Sequence, residues 1–111
     1  MEIRADEKVC IFTPLAPRLD ERECGRLFAE IEAENKVSAI DLSHVHDCTM
    51  DFIEGLKRLC SFKKIGIFNI PSDIFVLFNI MKLDRCAKLF VSELDFGEDS
   101  RQMINRNFRV L

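Results

Sequence analysis

The segment "IDLSHVHDCTMDFIEGL", residues 40–56, holds most of the side chains in this sequence that could do chemistry. It begins with the apolar pattern of a buried strand and ends with that of an amphipathic helix. Polar groups at the carboxyl end of a strand are typical of working sites in α/β folds. We therefore take this segment as the candidate site. Its candidate residues are Ser43, His44, His46, Asp47, Cys48, Thr49, Met50 and Asp51.

The imidazole, thiol and carboxyl groups of this segment are potential metal ligands. His44 and His46, at positions i and i+2, would face the same way if the strand continued through them. A transition-metal site needs three or four converging ligands. The chain has no other histidine and no second cluster of such residues. We therefore predict solvent-facing loop residues, with no metal and no other cofactor.

A nucleophilic cysteine with a histidine base would make this segment catalytic. Cys48 lies only two residues from His46, whereas catalytic pairs usually meet across the fold. No glycine-rich phosphate-binding loop accompanies them. The sequence therefore favours binding over catalysis, and we predict that the protein is not an enzyme.

The composition is that of one globular domain, residues 1–111, with 48% hydrophobic and 32% charged residues. A net charge of −3 without a basic stripe argues against nucleic-acid binding. No apolar run reaches the roughly 20 residues of a membrane span. The first residues, MEIRADEK, lack the apolar core of a signal peptide. We therefore expect a cytoplasmic protein.

The five cysteines are odd in number, widely spaced and without a C-x-x-C pair. This usage argues against a zinc ribbon or a thioredoxin-like motif. We expect reduced thiols that serve as small buried hydrophobic groups.

Strand and helix patterns alternate along the chain, which predicts βαβ units and a largely parallel sheet. A tight turn at Asp6–Glu7 would pair the first strand antiparallel at an edge. The fold class is α/β, with a small mixed, mostly parallel sheet of four to five strands and about four helices. The predicted strands are 2–5, 8–13, 36–42, 64–70 and 87–92, and the predicted helices are 20–35, 51–62, 73–83 and 98–107. The residues after the last helix, Phe108, Val110 and Leu111, could anchor the C-terminus.

Capping residues set the expected starts of three helices. Asp20 with Glu23 forms a capping-box pair for the first helix. Asp51 is the expected N-cap of the second helix, and Ser72 that of the third.

The third helix has more apolar surface than a small sheet can bury. Its main stripe is Ile74, Leu77, Phe78 and Met81, and Phe75, Val76 and Ile80 widen it. The surplus either covers the second helix or forms an exposed patch for a partner. Both alternatives are open from the sequence.

Three stretches together resemble the STAS domain family, named for sulfate transporters and anti-sigma-factor antagonists. "PRLD" at 17–20 is similar to the family's Gly-x-Leu-Asp, and "AIDLSHV" at 39–45 is similar to its Asp-Leu-Ser-x-Val strand. Residues 64–90 resemble its Asn-x-Pro turn, third helix and last strand. The resemblance implies a non-enzymatic regulatory domain in bacterial signalling and transcription.

In the bacterial antagonists of that family, a Ser or Thr at the start of the second helix is phosphorylated by a kinase-like anti-sigma factor. Counting from Asp41 without gaps places Asp51 at this phosphoacceptor position, where its permanent charge could stand in for phosphoserine. A loop shortened by two residues would place Thr49 there instead. We prefer the ungapped register because it puts Ile53 and Leu56 on the apolar face of the helix. Neither register supplies the family's Gly.

The resemblance implies a protein partner, either a kinase-like anti-sigma factor or a second copy of the chain in a homodimer. Our leading hypothesis is a regulatory interaction module that is not switched by phosphorylation. The alternatives are a small-ligand module for a nucleotide or lipid, and a structural subunit of a larger assembly.

Overall fold

The computed structural model describes residues 1–96. Strands and helices alternate along this part of the chain, as the sequence predicts. The strands are β1 (Glu2–Ala5), β2 (Val9–Thr13), β3 (Arg18–Leu19), β4 (Val37–Asp41), β5 (Asp47–Cys48), β6 (Ile65–Phe68) and β7 (Lys88–Leu89). The helices are α1 (Glu21–Ala33), α2 (Met50–Cys60) and α3 (Ser72–Ile80), and a 3₁₀ turn spans Leu83–Arg85. The predicted helix at 98–107 and the C-terminal anchor, Phe108, Val110 and Leu111, lie outside the described residues.

The main sheet has the order β1-β2-β4-β6-β7. Strand β1 is antiparallel to β2, and the other neighbouring pairs are parallel. The hairpin turns at Asp6, whose carboxylate accepts hydrogen bonds from the backbone N–H groups of Lys8 and Val9, each at 2.8 Å. This mixed, mostly parallel α/β sheet with an antiparallel edge confirms the predicted fold class.

The three helices share one face of the sheet. Alternate strand residues, such as Phe12, Ile40 and Ile67, face the helices in one core. Rings from the three helices stack in a row there: the Phe28 and Phe52 centroids are 5.9 Å apart, and those of Phe52 and Phe78 are 6.0 Å apart. This row fixes α2 between α1 and α3.

The opposite face of the sheet carries a smaller cluster of Ala39, Phe68 and Phe96. Phe68 stacks on Phe96 with 5.7 Å between ring centroids. The guanidinium group of Arg4, in β1, also donates two hydrogen bonds to the carboxylate of Glu93, which lies three residues before Phe96. Both faces of the interior strand β6 are therefore covered, which fits its unbroken apolar sequence.

The start of α1 confirms the expected cap: Asp20 Oδ1 accepts a hydrogen bond from the Glu23 N–H at 3.0 Å. The other two expected caps were wrong. Helix α3 begins one residue earlier, because Pro71 has φ −58° and ψ 146° and its carbonyl accepts the Phe75 N–H at 2.8 Å. Ser72 is therefore the first helical residue. The start of α2 is described with the site below.

The predictions for the thiols were right only in part. Cys10 and Cys24 are buried, Cys48 and Cys60 are half-buried, and Cys86 is exposed. Cys86 is exposed because it follows a surface 3₁₀ turn, a feature that the helical pattern of the sequence does not reveal. Within residues 1–96, no helix has both the length and the apolar character needed to cross a membrane.

Candidate functional site

The candidate site begins where β4 ends, at a buried carboxylate. Asp41 Oδ1 accepts hydrogen bonds from the Ser43 N–H at 3.0 Å and from Asn69 Nδ2 at 3.1 Å. The Thr13 hydroxyl donates to Asp41 Oδ2 at 3.4 Å, and Arg4 lies 3.9 Å from the same oxygen. Asp41 thus links the carboxyl ends of β2, β4 and β6, and it turns the chain out of the sheet at Ser43.

The loop that follows is held by its backbone and not by its histidines. The N–H groups of His46 and Asp47 donate to the carbonyl oxygen of Pro17 at 2.7 and 3.2 Å. This attachment continues as the short parallel ladder β3–β5, in which Arg18 pairs with Asp47. Their side chains form an exposed ion pair, with 3.4 Å between Arg18 Nε and Asp47 Oδ2. None of the strands predicted from the sequence covers 18–19 or 47–48, so this ladder was not predicted.

The structure does not bring the two histidines together as a ligand pair. Strand β4 ends at Asp41 and the chain turns at 43–44, so the i, i+2 alternation of a strand is lost. His44 and His46 are both exposed. Among residues 1–96, no three His, Cys, Asp or Glu side chains are placed to hold a metal ion.

The expectation that Asp51 caps the second helix was wrong. Helix α2 begins at Met50, and Thr49, in an extended conformation, is its N-cap. Both residue types are favoured at N-caps, so the sequence alone could not separate them. Asp51 lies instead in the first turn, where its negative charge is favourable beside the positive end of the helix dipole.

The Thr49 hydroxyl does not cap the helix backbone. Its oxygen lies 3.2 Å from each of two acceptors, the carbonyl oxygen of Leu19 and Oδ2 of Asp51, which share its single proton. The Leu19 carbonyl also accepts the Thr49 N–H at 3.0 Å and the Cys24 thiol at 3.7 Å. A single carbonyl of β3 therefore ties the start of α2 to α1. No sequence signal pointed to Leu19, because the contact is made by its backbone.

The thiol of this site is not activated as a nucleophile. Burial, with a smaller contribution from the nearby charge of Asp47, raises the pKa of Cys48 to about 11. A catalytic cysteine needs the opposite shift, because the thiolate is the reactive form. His46 is held to Pro17 by its backbone, and the Asp47 carboxylate accepts the Cys48 N–H at 2.9 Å.

Most of the predicted site residues reach the surface. Thr49 and Cys48 are half-buried, and the others are exposed: Ser43, His44, His46, Asp47, Met50 and Asp51. Met50 is an apolar side chain that is 46% exposed at the start of α2. Leu15, in the loop before Pro17, is likewise exposed, a feature that was not predicted from the sequence. The site is therefore a polar surface with a few apolar groups.

The apolar surplus of α3 is exposed in part. Ile74 and Phe78 are buried in the core, whereas Phe75, Val76 and Ile80 are exposed. Of the two alternatives left open by the sequence, the exposure of these three side chains within residues 1–96 favours an exposed patch. A shallow groove also lies elsewhere on the surface, along the first half of α1, where it is lined by Asp20, Arg22 and Arg26 among others. It contains no residue of the 43–51 loop.

Comparison with known proteins gives a similarity of fold. No family model matches the sequence, and no curated protein matches it. A solved structure of a "putative anti-sigma factor antagonist" from Thermotoga maritima is similar, with a TM-score of 0.76 and 14% sequence identity. The similarity covers 90% of this chain and 93% of that one. The chain therefore has a STAS-like fold, as the resemblance of its motifs implies.

Proposed function

From this STAS-like fold we propose that the protein is a non-enzymatic interaction module, which regulates a protein partner by binding it. The binding surface consists of the 43–51 loop and the exposed side of α2. The observation that carries the proposal is the start of α2, where the half-buried Thr49 hydroxyl is bonded to Leu19 and to Asp51. The similar fold of a "putative anti-sigma factor antagonist" supports the choice of partner class.

The loop is suited to binding because its backbone is already ordered. Pro17 and Leu19 accept three backbone hydrogen bonds from residues 46–49, and Asp41 accepts one from Ser43. A preorganised loop loses little conformational entropy when a partner docks. Its exposed side chains are then free to set which partner is recognised.

The charge at the start of α2 favours a partner with basic groups. Asp51 and Glu54 are exposed on the first turns of α2, and Asp47 is paired with Arg18 at the rim. Complementary charge speeds association and selects partners. A kinase-like anti-sigma factor that offers lysine or arginine here fits this surface, and a second copy of the chain would need a basic patch that the loop itself lacks.

The proposal includes no phosphorylation switch. A phosphate on Thr49 would add a charge of about −1.5 to −2. It would do so 3.2 Å from a carboxylate oxygen of Asp51 and would displace the proton that Thr49 donates. Asp51 supplies a permanent negative charge at the same helix start. The site then stays unphosphorylated, and the concentration of the partner controls how much complex forms.

Calorimetric titration of the host's histidine-kinase-like ATPases with the purified protein tests this assignment. Asp51→Lys reverses the charge at the start of α2 and should weaken binding about tenfold, because it repels a basic partner surface. The matched control is Asp84→Lys, since Asp84 is an exposed carboxylate outside the proposed surface, in the 3₁₀ turn that follows α3. Equal loss of affinity in both variants, or no binding by the unmodified protein, would refute the proposal.

A further inference from the structure

Strand β1 forms one edge of the main sheet, and its outer side is open. Within residues 1–96, β1 is paired with β2 alone, and all four of its residues, Glu2–Ala5, are exposed. The edge strand at the other end of the sheet, β7, has only two residues. Proteins usually protect sheet edges with very short strands, lysine, proline or bulges. The sequence of β1, EIRA, holds neither lysine nor proline, and its register against β2 is continuous.

The register of the hairpin determines which backbone groups of β1 point outward. The N–H group of Asp6 donates to the Val9 carbonyl at 3.0 Å, so these two residues are a hydrogen-bonded pair. Bonded and non-bonded pairs alternate along an antiparallel ladder, and the register of β1 on β2 continues from this pair without a break. The backbone groups of Glu2 and Arg4 therefore face β2. Those of Ile3 are directed away from the sheet, where a further strand would bond them.

The sequence of β1 is complementary to a second copy of itself. When two copies of β1 run antiparallel about a two-fold axis at Ile3, each Ile3 N–H donates to the carbonyl oxygen of the other Ile3. Glu2 of each chain then lies directly opposite Arg4 of the other chain, once on each side of the axis. Opposite charges in directly opposed positions stabilise a pair of antiparallel strands, whereas like charges destabilise it. The charges of β1 therefore favour pairing with itself in this one register.

The side chains of β1 suit this pairing on both faces of the sheet. Glu2 and Arg4 share one face, where Nε of Arg4 lies 3.6 Å from Oε1 of Glu2 and the other guanidinium nitrogens donate to Glu93. Because Glu93 already holds the guanidinium group, little further ordering is needed for it to meet a second Glu2. Ile3 projects from the face that carries the helices, since it is paired with Phe12 of the core. It is 46% exposed and would contact the second Ile3 across the axis.

We propose that β1 is a homodimerisation edge, at which two copies of the chain join their five-stranded sheets into one continuous sheet. The same residues meet from both sides, so the interface is closed by a two-fold axis. Strands this short bury less surface than a standard interface of about 1,600 Å². The dimer is therefore reversible and forms as the protein concentration rises. It leaves the 43–51 loop and the exposed side of α2 uncovered, so the inference does not depend on the proposed function.

Sedimentation equilibrium of the full chain, from micromolar to millimolar concentration, tests the proposal. The unmodified protein should change from monomer to dimer over this range. Glu2→Arg places like charges opposite each other at two points and should raise the dissociation constant of the dimer about tenfold. Glu7→Arg is the matched control, because it makes the same change of charge at an exposed residue of the hairpin turn, outside the pairing. A monomer at every concentration would overturn the proposal. Equal dimerisation of the two variants would also overturn it, because the dimer would then use another surface.

A second variant with the opposite charge change tests the register. Arg4→Glu should dimerise poorly by itself, because glutamates then face each other across the axis. Mixed with Glu2→Arg in equal amounts, it should form a heterodimer, since arginine at both positions of one chain meets glutamate at both positions of the other. Circular dichroism confirms that each variant is folded. Folded variants that form no heterodimer would contradict the pairing about Ile3.

Hydrogen exchange of the unmodified protein tests the same pairing without any substitution. The Ile3 N–H points away from the sheet in the monomer and is bonded in the dimer, so it should exchange several-fold more slowly at high protein concentration. The Arg4 N–H faces β2 in both states, so its exchange rate should not change. An Ile3 amide that exchanges at the same rate in monomer and dimer would overturn the proposal.

Discussion

The Thr49 hydroxyl lies 3.2 Å from a carboxylate oxygen of Asp51, at the point where α2 begins. From the sequence these residues are rivals for one role, because each fills the phosphoacceptor position in a different register. In the structure they are neighbours in one hydrogen-bonded unit. A hydroxyl and a permanent negative charge therefore occupy the helix start together, and the variants below separate their contributions.

Removal of the Thr49 hydroxyl should destabilise the protein. Thr49→Val keeps the shape of the side chain but deletes the donor to Leu19 and Asp51, which should lower the free energy of unfolding by about 1 kcal/mol. Thr49→Ser keeps the hydroxyl and should lose less than half as much. Urea unfolding of both variants measures the difference. Equal stability of Thr49→Val and the unmodified protein would mean that these hydrogen bonds contribute nothing.

Two helical glycines should respond in opposite ways to alanine. A Cβ on Gly55 would lie 2.6 Å from Cδ2 of Phe28, whose ring is stacked on Phe52, so Gly55→Ala should cost about 1–2 kcal/mol through overpacking. A Cβ on Gly25 meets no atom within 4 Å, so Gly25→Ala should stabilise α1 by up to about 1 kcal/mol. Thermal unfolding of the pair checks the sign. A stabilised Gly55→Ala protein would contradict the close packing of α1 on α2.

The cap of α1 gives a simpler stability test. Asp20→Ala deletes the acceptor of the Glu23 N–H and should destabilise the protein by about 1 kcal/mol. Asp20→Ser restores an oxygen at the N-cap and should recover most of the loss. Chemical denaturation of the two variants is the measurement, and an Asp20→Ser protein as unstable as Asp20→Ala would contradict the capping role.

Stability should fall on the alkaline side. Burial raises the pKa of Cys24 and Cys60 to about 12 and that of Cys48 to about 11, above the ordinary value of 9.0. The folded protein thus keeps thiol protons that the unfolded chain releases, so the stabilisation is complete below about pH 9 and is lost as the pH rises through the folded values. The urea midpoint should therefore be lower at about pH 10 than at about pH 8. Cys24→Ala should make this difference smaller. A flat profile would contradict burial of the neutral thiols.

Much of the fold could be predicted from local pattern. The apolar face of α1, with Cys24, Leu27, Phe28 and Ile31, and that of α2, with Phe52, Ile53, Leu56 and Leu59, are buried as their spacing predicts. The order of the long strands and the antiparallel edge also follow, since parallel strands need helical crossovers. These features depend on the spacing of apolar residues along the chain, which can be read from a single sequence.

The details of the site could not be predicted, because they depend on contacts between distant backbone groups. The β3–β5 ladder has only two residues in each strand, too few for an alternating pattern. The Leu19 carbonyl, which binds Thr49, carries no side-chain signal.

The most direct test of the proposed function combines binding and modification in one experiment. A kinase-like ATPase that binds the protein is mixed with it, magnesium-ATP is added, and both the bound fraction and the intact mass are followed over time. Our account predicts that the complex persists and that the mass does not change. Phosphate on Thr49 with release of the partner would contradict it, and would identify the start of α2 as a phosphorylation switch.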